Sequence, residues 1–148
     1  MKLRLFAAID VGSFELTCKI FEYSAKNGMK EVDSLRHRMD LGSETFAGGK
    51  LSKEKVNELC QVLNSFKTAM DGYRVDGYKA YGTSAIRETE NTMILLDQIE
   101  QRTGIRIEVL SNSEQRFLNY KASSYKFSYN RVHRKVFTAD SQKIAQKL

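Results

Sequence analysis

The spacing of apolar positions changes several times along the chain, and each change marks a new element. Leu3 to Val11 is a short, mostly apolar run, as a buried strand requires. Gly12-Ser13 interrupts it. From Glu15 to Tyr23, Leu16, Cys18 and Ile20 alternate with Thr17 and Lys19, the period of a strand with one buried face. Asn27-Gly28 follows, a dipeptide suited to the positive φ angles of a tight hairpin turn. Glu31 to Met39 reads as a third strand, so the opening is a three-strand antiparallel meander.

Gly42 to Gly49 reads as a loop. Ser52 then stands where a helix N-cap belongs, with Glu54 in the first turn to complement the helix dipole. Val56, Leu59, Cys60, Leu63, Phe66 and Met70 recur at helical spacing, which predicts an amphipathic helix over Lys53 to Met70, ended by Gly72. Asp76 to Thr83 is a strand. Glu90 to Arg102 is a helix with Met93, Leu96 and Ile99 on one face and Gly104 as its stop. Ile105 to Val109 alternates strictly and is a strand. Asn112 or Ser113 caps a last helix that runs to about Ser123. Three meander strands followed by helix–strand alternation predict an α/β mixed sheet covered by helices.

Composition narrows the class. The chain has 148 residues, 41% of them hydrophobic and 28% charged, which fits a globular domain and excludes a disordered one. No apolar run approaches the roughly 20 residues of a bilayer span, so no membrane partner is expected. Two cysteines make no disulfide framework, so a cytoplasmic setting is expected. Cys18 and Cys60 fall on predicted apolar faces and read as inert core thiols. His37 and His133 have no neighbour at metal-ligand spacing.

The net charge of +6 is unevenly placed. Residues 1–122 carry 18 basic and 17 acidic side chains; residues 123–148 carry six basic side chains against Asp140. A nearly neutral body, 1–122, therefore precedes a basic extension, 123–148. Aromatic and basic residues mix over Ser124 to Arg131, a composition able to stack on and neutralise RNA. Covering a sheet edge or remaining partly disordered is the stronger reading, and nucleic acid is not the expected partner.

Four segments of the body carry a resemblance. Ala8-Ile9-Asp10-Val11-Gly12-Ser13 is similar to the first phosphate loop of the exopolyphosphatase / guanosine pentaphosphate phosphohydrolase (Ppx/GppA) family. Leu41-Gly42 with Gly49 and Leu51 resembles that family's loop before the first helix. Gly82-Thr83-Ser84-Ala85-Ile86-Arg87 through Asn91 resembles its ATSAxRxAxN segment, and Thr103 to Gln115 its TGIxIEVISxxEE segment. The four occur in family order over residues 5–122. The resemblance implies the N-terminal half of an actin-like (ribonuclease H-like) fold. It also implies Mg²⁺-dependent hydrolysis of the terminal phosphate of polyphosphate or guanosine pentaphosphate.

The residue types suit that chemistry. A turn between two strands can aim N–H groups and the Ser13 hydroxyl at phosphate oxygens, with Gly12 permitting close approach. Asp10 at the strand end can hold water on Mg²⁺. Arg87 offers a planar fork that matches phosphate. A carboxylate at the start of the last helix can orient or deprotonate a water.

Three departures from the family pattern bear on activity. Ser13 is followed by Phe14 and Glu15, where the family has Asn-Ser. The family places two adjacent glutamates at the opening of the last helix, the second being catalytic; here they are Glu114 and Gln115, and an amide cannot accept the proton. Adjacent helical positions point about 100° apart, so Glu114 is a poor substitute. The family's second, glycine-rich phosphate loop is absent; Val136 to Ser141 is at most a faint echo of it. The expectation is one wall of a two-walled site, inactive alone. Two other roles compete: a non-catalytic phosphate- or nucleotide-binding module, and a homo-oligomerising remnant.

Overall fold

The computed structural model describes residues 3–129, with side chains to residue 121. The echo over Val136 to Ser141 and most of the basic extension lie outside the described residues. Ten elements follow one another: β1 (Arg4–Val11), β2 (Glu15–Ser24), β3 (Gly28–Arg38), α1 (Gly42–Gly48), α2 (Lys53–Tyr73), β4 (Gly77–Gly82), α3 (Ser84–Arg87), α4 (Thr92–Thr103), β5 (Ile107–Val109) and α5 (Asn112–Tyr129). The five strands form one sheet in the order β3-β2-β1-β4-β5. The meander pairs antiparallel, from Arg4 opposite Tyr23 to Val11 opposite Leu16. β4 joins β1 parallel, and β5 joins β4 parallel. This is the mixed sheet expected from the element order.

Side-chain alternation assigns each face of the sheet a different cover. Ala7, Ile9, Val11, Leu16, Cys18 and Ile20 point to the main core, where α2 contributes Leu59, Leu63, Phe66 and Met70. Ala8, Phe21 and Tyr81 point the other way and meet Leu118 of α5. α2 and α4 thus lie on one face and α5 on the other. β2 is consequently covered on both faces rather than one, and even Lys19 is only 6% exposed, paired with Glu31 at 3.2 Å. Both thiols are in the core. Burial, with the charge of Asp33 adding to it, pushes Cys18 up to about 12. Burial also raises Cys60.

Several boundaries differ from the sequence reading. Residues 42–48 form α1 rather than a loop. Its N-cap residue, Leu41, supplies no side-chain cap, and Gly49 stops it at φ 71°, so a short glycine-bounded turn hid the helix. β3 starts at Gly28, which itself takes the positive φ of 69°. α2 runs through Gly72, and Arg74 takes the left-handed stop at φ 54°. α4 starts at Thr92 and buries Leu95 and Ile99, leaving Met93 80% exposed. Met93 sits two positions from Leu95, about 200° around the helix. β5 is shorter, from Ile107. α5 continues past Ser123 to Tyr129.

Helix α2 begins as predicted. The Ser52 hydroxyl accepts the Lys55 N–H at 3.2 Å, while its own N–H and O–H donate to Glu44 of α1. One serine therefore caps α2 and ties it to α1. Ser52→Ala is expected to lower unfolding free energy by about 1 kcal/mol. Arg74→Gly is expected to raise it by about 1 kcal/mol, because a side chain is strained in the left-handed region. Urea unfolding of the two variants checks both signs.

Candidate functional site

The three parallel strands end in step. Thr83 N–H donates to Val11 O at 3.2 Å, and Leu110 N–H donates to Gly82 O at 3.1 Å. The segments that leave β1, β4 and β5 therefore emerge side by side. In sheets of this kind, ligands bind in the crevice outside the carboxyl ends of the parallel strands. Every site residue anticipated from the sequence lies on these three segments or at the last position but one of β1.

The β1–β2 turn is tightly built. Gly12 N–H donates to Glu15 O at 3.0 Å. A Cβ on Gly12 would stand 2.8 Å from that same carbonyl oxygen. The glycine is thus required by the hairpin itself, and its N–H is not offered to a ligand. The N–H groups of Ser13 and Phe14, in contrast, meet no acceptor among the described residues. Ser13 O accepts Leu41 N–H and Gly42 N–H, both at 2.9 Å, which fixes the turn against the start of α1. The Ser13 and Ser84 hydroxyls are 2.9 Å apart, bridging this turn to α3. Ser84 was quoted in the motif but given no role; its pairing across 71 positions is a tertiary contact that no local pattern reveals.

Arg87 joins the second and third segments. Its guanidinium donates to Leu110 O at 2.7 Å, to the Gln115 amide oxygen at 3.4 Å and to Glu88 at 3.3 Å. The Nη2 hydrogens meet no acceptor among the described residues. The side chain is 19% exposed, so the cation is held at the crevice rather than solvated. Arg87 and Gln115 are the two anticipated residues brought into direct contact.

Glu114 is engaged otherwise. Its carboxylate accepts Ser111 N–H at 2.9 Å, while Ser111 Oγ accepts Glu114 N–H at 3.2 Å. This is a reciprocal capping box. The cap of α5 is therefore Ser111, not Asn112 or Ser113, and the Ser-x-x-Glu spacing was the available signal. Asp10 alternates with Ala8 and so lies on the α5 side of β1, half-buried, with Oδ1 fully enclosed. Beside it in β4, Tyr81 is raised above its usual value by burial first and the charge of Glu108 second, and stays a neutral phenol. Glu15, a carboxylate next to the turn, is paired with Arg36 at 2.7 Å, which offsets its repulsion of an anion.

A five-stranded mixed sheet with an antiparallel meander and helices on both faces is the actin-like α/β fold. Residues 20–133 match the Ppx/GppA phosphatase family, and the chain belongs to it. It is 22% identical over 114 residues to exopolyphosphatase 1 of Mycobacterium tuberculosis, covering 77% of this chain and 33% of that protein. It is 23% identical over 121 residues to the guanosine-5′-triphosphate,3′-diphosphate pyrophosphatase of Vibrio vulnificus, covering 82% and 24%. The crystal structure of the Aquifex aeolicus Ppx/GppA family member superposes with a TM-score of 0.75 at 26% identity, over 84% of this chain and 41% of that one. The chain thus spans between a quarter and two fifths of the length of these relatives. No helix among the described residues is long and apolar enough to cross a membrane.

The tightness of the turn gives a direct test. Gly12→Ala drives a methyl group into a backbone carbonyl and is expected to lower stability by about 1–3 kcal/mol. Thermal unfolding followed by circular dichroism measures it.

Proposed function

We propose that this chain grips the phosphates of polyphosphate or guanosine pentaphosphate in the crevice at the ends of β1, β4 and β5, and hydrolyses them poorly on its own. The observation that carries the reading is Arg87, held at the crevice mouth by Leu110 O and Gln115 with its Nη2 hydrogens unengaged. Arg87 supplies a cationic donor whose Nη2 hydrogens remain for phosphate oxygens. The Ser13 hydroxyl and the Ser13 and Phe14 N–H groups supply neutral donors from the facing turn. Gly12 contributes by keeping that turn closed.

Phosphoryl transfer draws chiefly on positioning and charge neutralisation. This chain offers both, but it lacks a convincing base. Gln115 is an amide, able to orient a water and unable to take its proton. Glu114 holds the α5 cap. Mg²⁺ binds through one or two carboxylates together with waters and phosphate oxygens. Among the described residues, no three His, Cys, Asp or Glu side chains cluster, so a resident metal cage is not supported. Asp10 suits a cation that arrives with the phosphates. Bound there, Mg²⁺ would supply charge neutralisation, and Asp10 would hold it.

A second reading, self-association, draws on Phe117 and Tyr120, which stand 56% and 72% exposed three positions apart on α5. Light scattering of the purified chain reports on it.

Two outcomes are expected for the main reading. With polyphosphate and Mg²⁺, phosphate release stays well below about 1 per second, the low end of ordinary enzymes. Calorimetric titration shows tripolyphosphate binding, weakened about tenfold in Arg87→Lys, which keeps the charge and loses the planar group that Leu110 O and Gln115 hold in place. Turnover at ordinary enzyme rates, or binding indifferent to Arg87, removes the reading.

A further inference from the structure

Two phenylalanine rings stand in water beside the candidate phosphate turn. Phe14 is 66% exposed and Phe46 is 56% exposed. Phe14 follows Ser13 directly. Phe46 reaches the same place from α1: a Cβ on Gly42 would stand 2.9 Å from the edge of the Phe46 ring and 3.2 Å from the β-carbon of Ser13. Ring edge and serine are therefore near neighbours across Gly42. The arrangement is rigid, because Ser13 O accepts both Leu41 N–H and Gly42 N–H, and Phe14 O accepts Met39 N–H at 3.1 Å. The turn carrying Phe14 and the helix carrying Phe46 are thus bonded to each other through their backbones.

Single exposed apolar side chains need no explanation. Two exposed aromatic rings on separate elements, both near a hydroxyl and two unengaged N–H donors, form a mixed surface. Burying a phenylalanine side chain is worth about 1.5–3 kcal/mol, so both rings forgo that gain in the described residues. Inorganic polyphosphate offers nothing to recover it. It is a chain of hydrated oxyanions, and the face of an aromatic ring carries negative charge density that repels them. A nucleobase offers a flat apolar face, and stacking of a base on an aromatic side chain contributes about 1–3 kcal/mol.

We infer that the ligand of this crevice is a nucleoside polyphosphate rather than bare polyphosphate, with its base stacked on Phe46 and Phe14 and its phosphates at the Ser13 turn and Arg87. The assignment rests on the phosphate-binding reading above and selects between its two substrates. The Phe46 and Phe14 rings are the specificity groups in it, touching the base, while the Phe14 backbone N–H stays with the phosphates. Phe14 replaces a small polar residue of the family loop, so the preference belongs to this chain rather than to the turn in general.

Calorimetric titration of the full 148-residue chain with GTP and with inorganic tripolyphosphate, both with Mg²⁺, separates the possibilities. GTP is expected to bind about tenfold more tightly than tripolyphosphate, the equivalent of roughly 1.4 kcal/mol. Phe46→Ala and Phe14→Ala should each bring GTP toward the tripolyphosphate value, and Phe46→Ala should leave tripolyphosphate itself unchanged; Phe46→Tyr, which keeps the ring, should retain the preference. Tripolyphosphate binding without a GTP advantage overturns this inference and leaves the phosphate reading standing. A GTP advantage that survives both alanine substitutions also overturns it. Binding of neither ligand removes both readings. If the alanine variants dissociate a dimer and leave GTP affinity unchanged, the rings belong to a contact between two copies of the chain, and the inference falls.

Discussion

The parallel pairing of β1 with β4 is the constraint on which the crevice depends. Val11 aligns with Gly82, and the N–H of Thr83 continues the ladder to Val11 O. Because parallel strands run the same way, both chains leave the sheet at one edge and at one level. The turn with Ser13 and the helix with Ser84 and Arg87 therefore face each other without any long loop. β1 sustains this role because its inward positions, Ala7, Ile9 and Val11, are completely buried against α2. Slipping the register by one residue would send Asp10 into that apolar core, so the hydrophobic pattern and the site geometry are fixed by the same pairing.

The third segment is secured by a different device. α5 starts at a capping box, which consumes Glu114 and sets the direction of the helix. Gln115, one position on, is thereby turned toward Arg87. A cap and a crevice contact on adjacent residues divide the labour between two side chains that the sequence presents as a pair.

Much of the fold was legible because it rests on periodicity. The alternation of β1 and β2, the helical spacing from Val56 to Met70 and the Ser52 cap are local statements that tertiary packing did not override. Elements without a period were not legible: α1 and α3 are seven and four residues long, too short to repeat anything. The exposed position of Met93 was misjudged because it stands three positions before Leu96, whereas packing centres on Leu95 and Ile99, with Leu96 partly buried beside them. Within the site, Asp10, Gly12 and Ser13 stand at the end of β1, and Arg87 closes the short helix α3 that follows β4. The Ser13–Ser84 bridge and the backbone clash that demands Gly12 depend on atoms distant in sequence or on exact turn geometry, and no spacing encodes either.

The tethering of Arg87 has a thermodynamic consequence. A free arginine side chain holds about 2 kcal/mol of rotamer entropy. Here Leu110 O and Gln115 have already confined it, so that loss is incurred during folding and not when an anion arrives. The guanidinium meets its ligand preorganised, as does the hairpin turn opposite, whose backbone is bonded to α1. In the proposed reading, association with phosphate then costs mainly desolvation and the freedom of the ligand. The rigidity that such binding would draw on is built into the sheet ends.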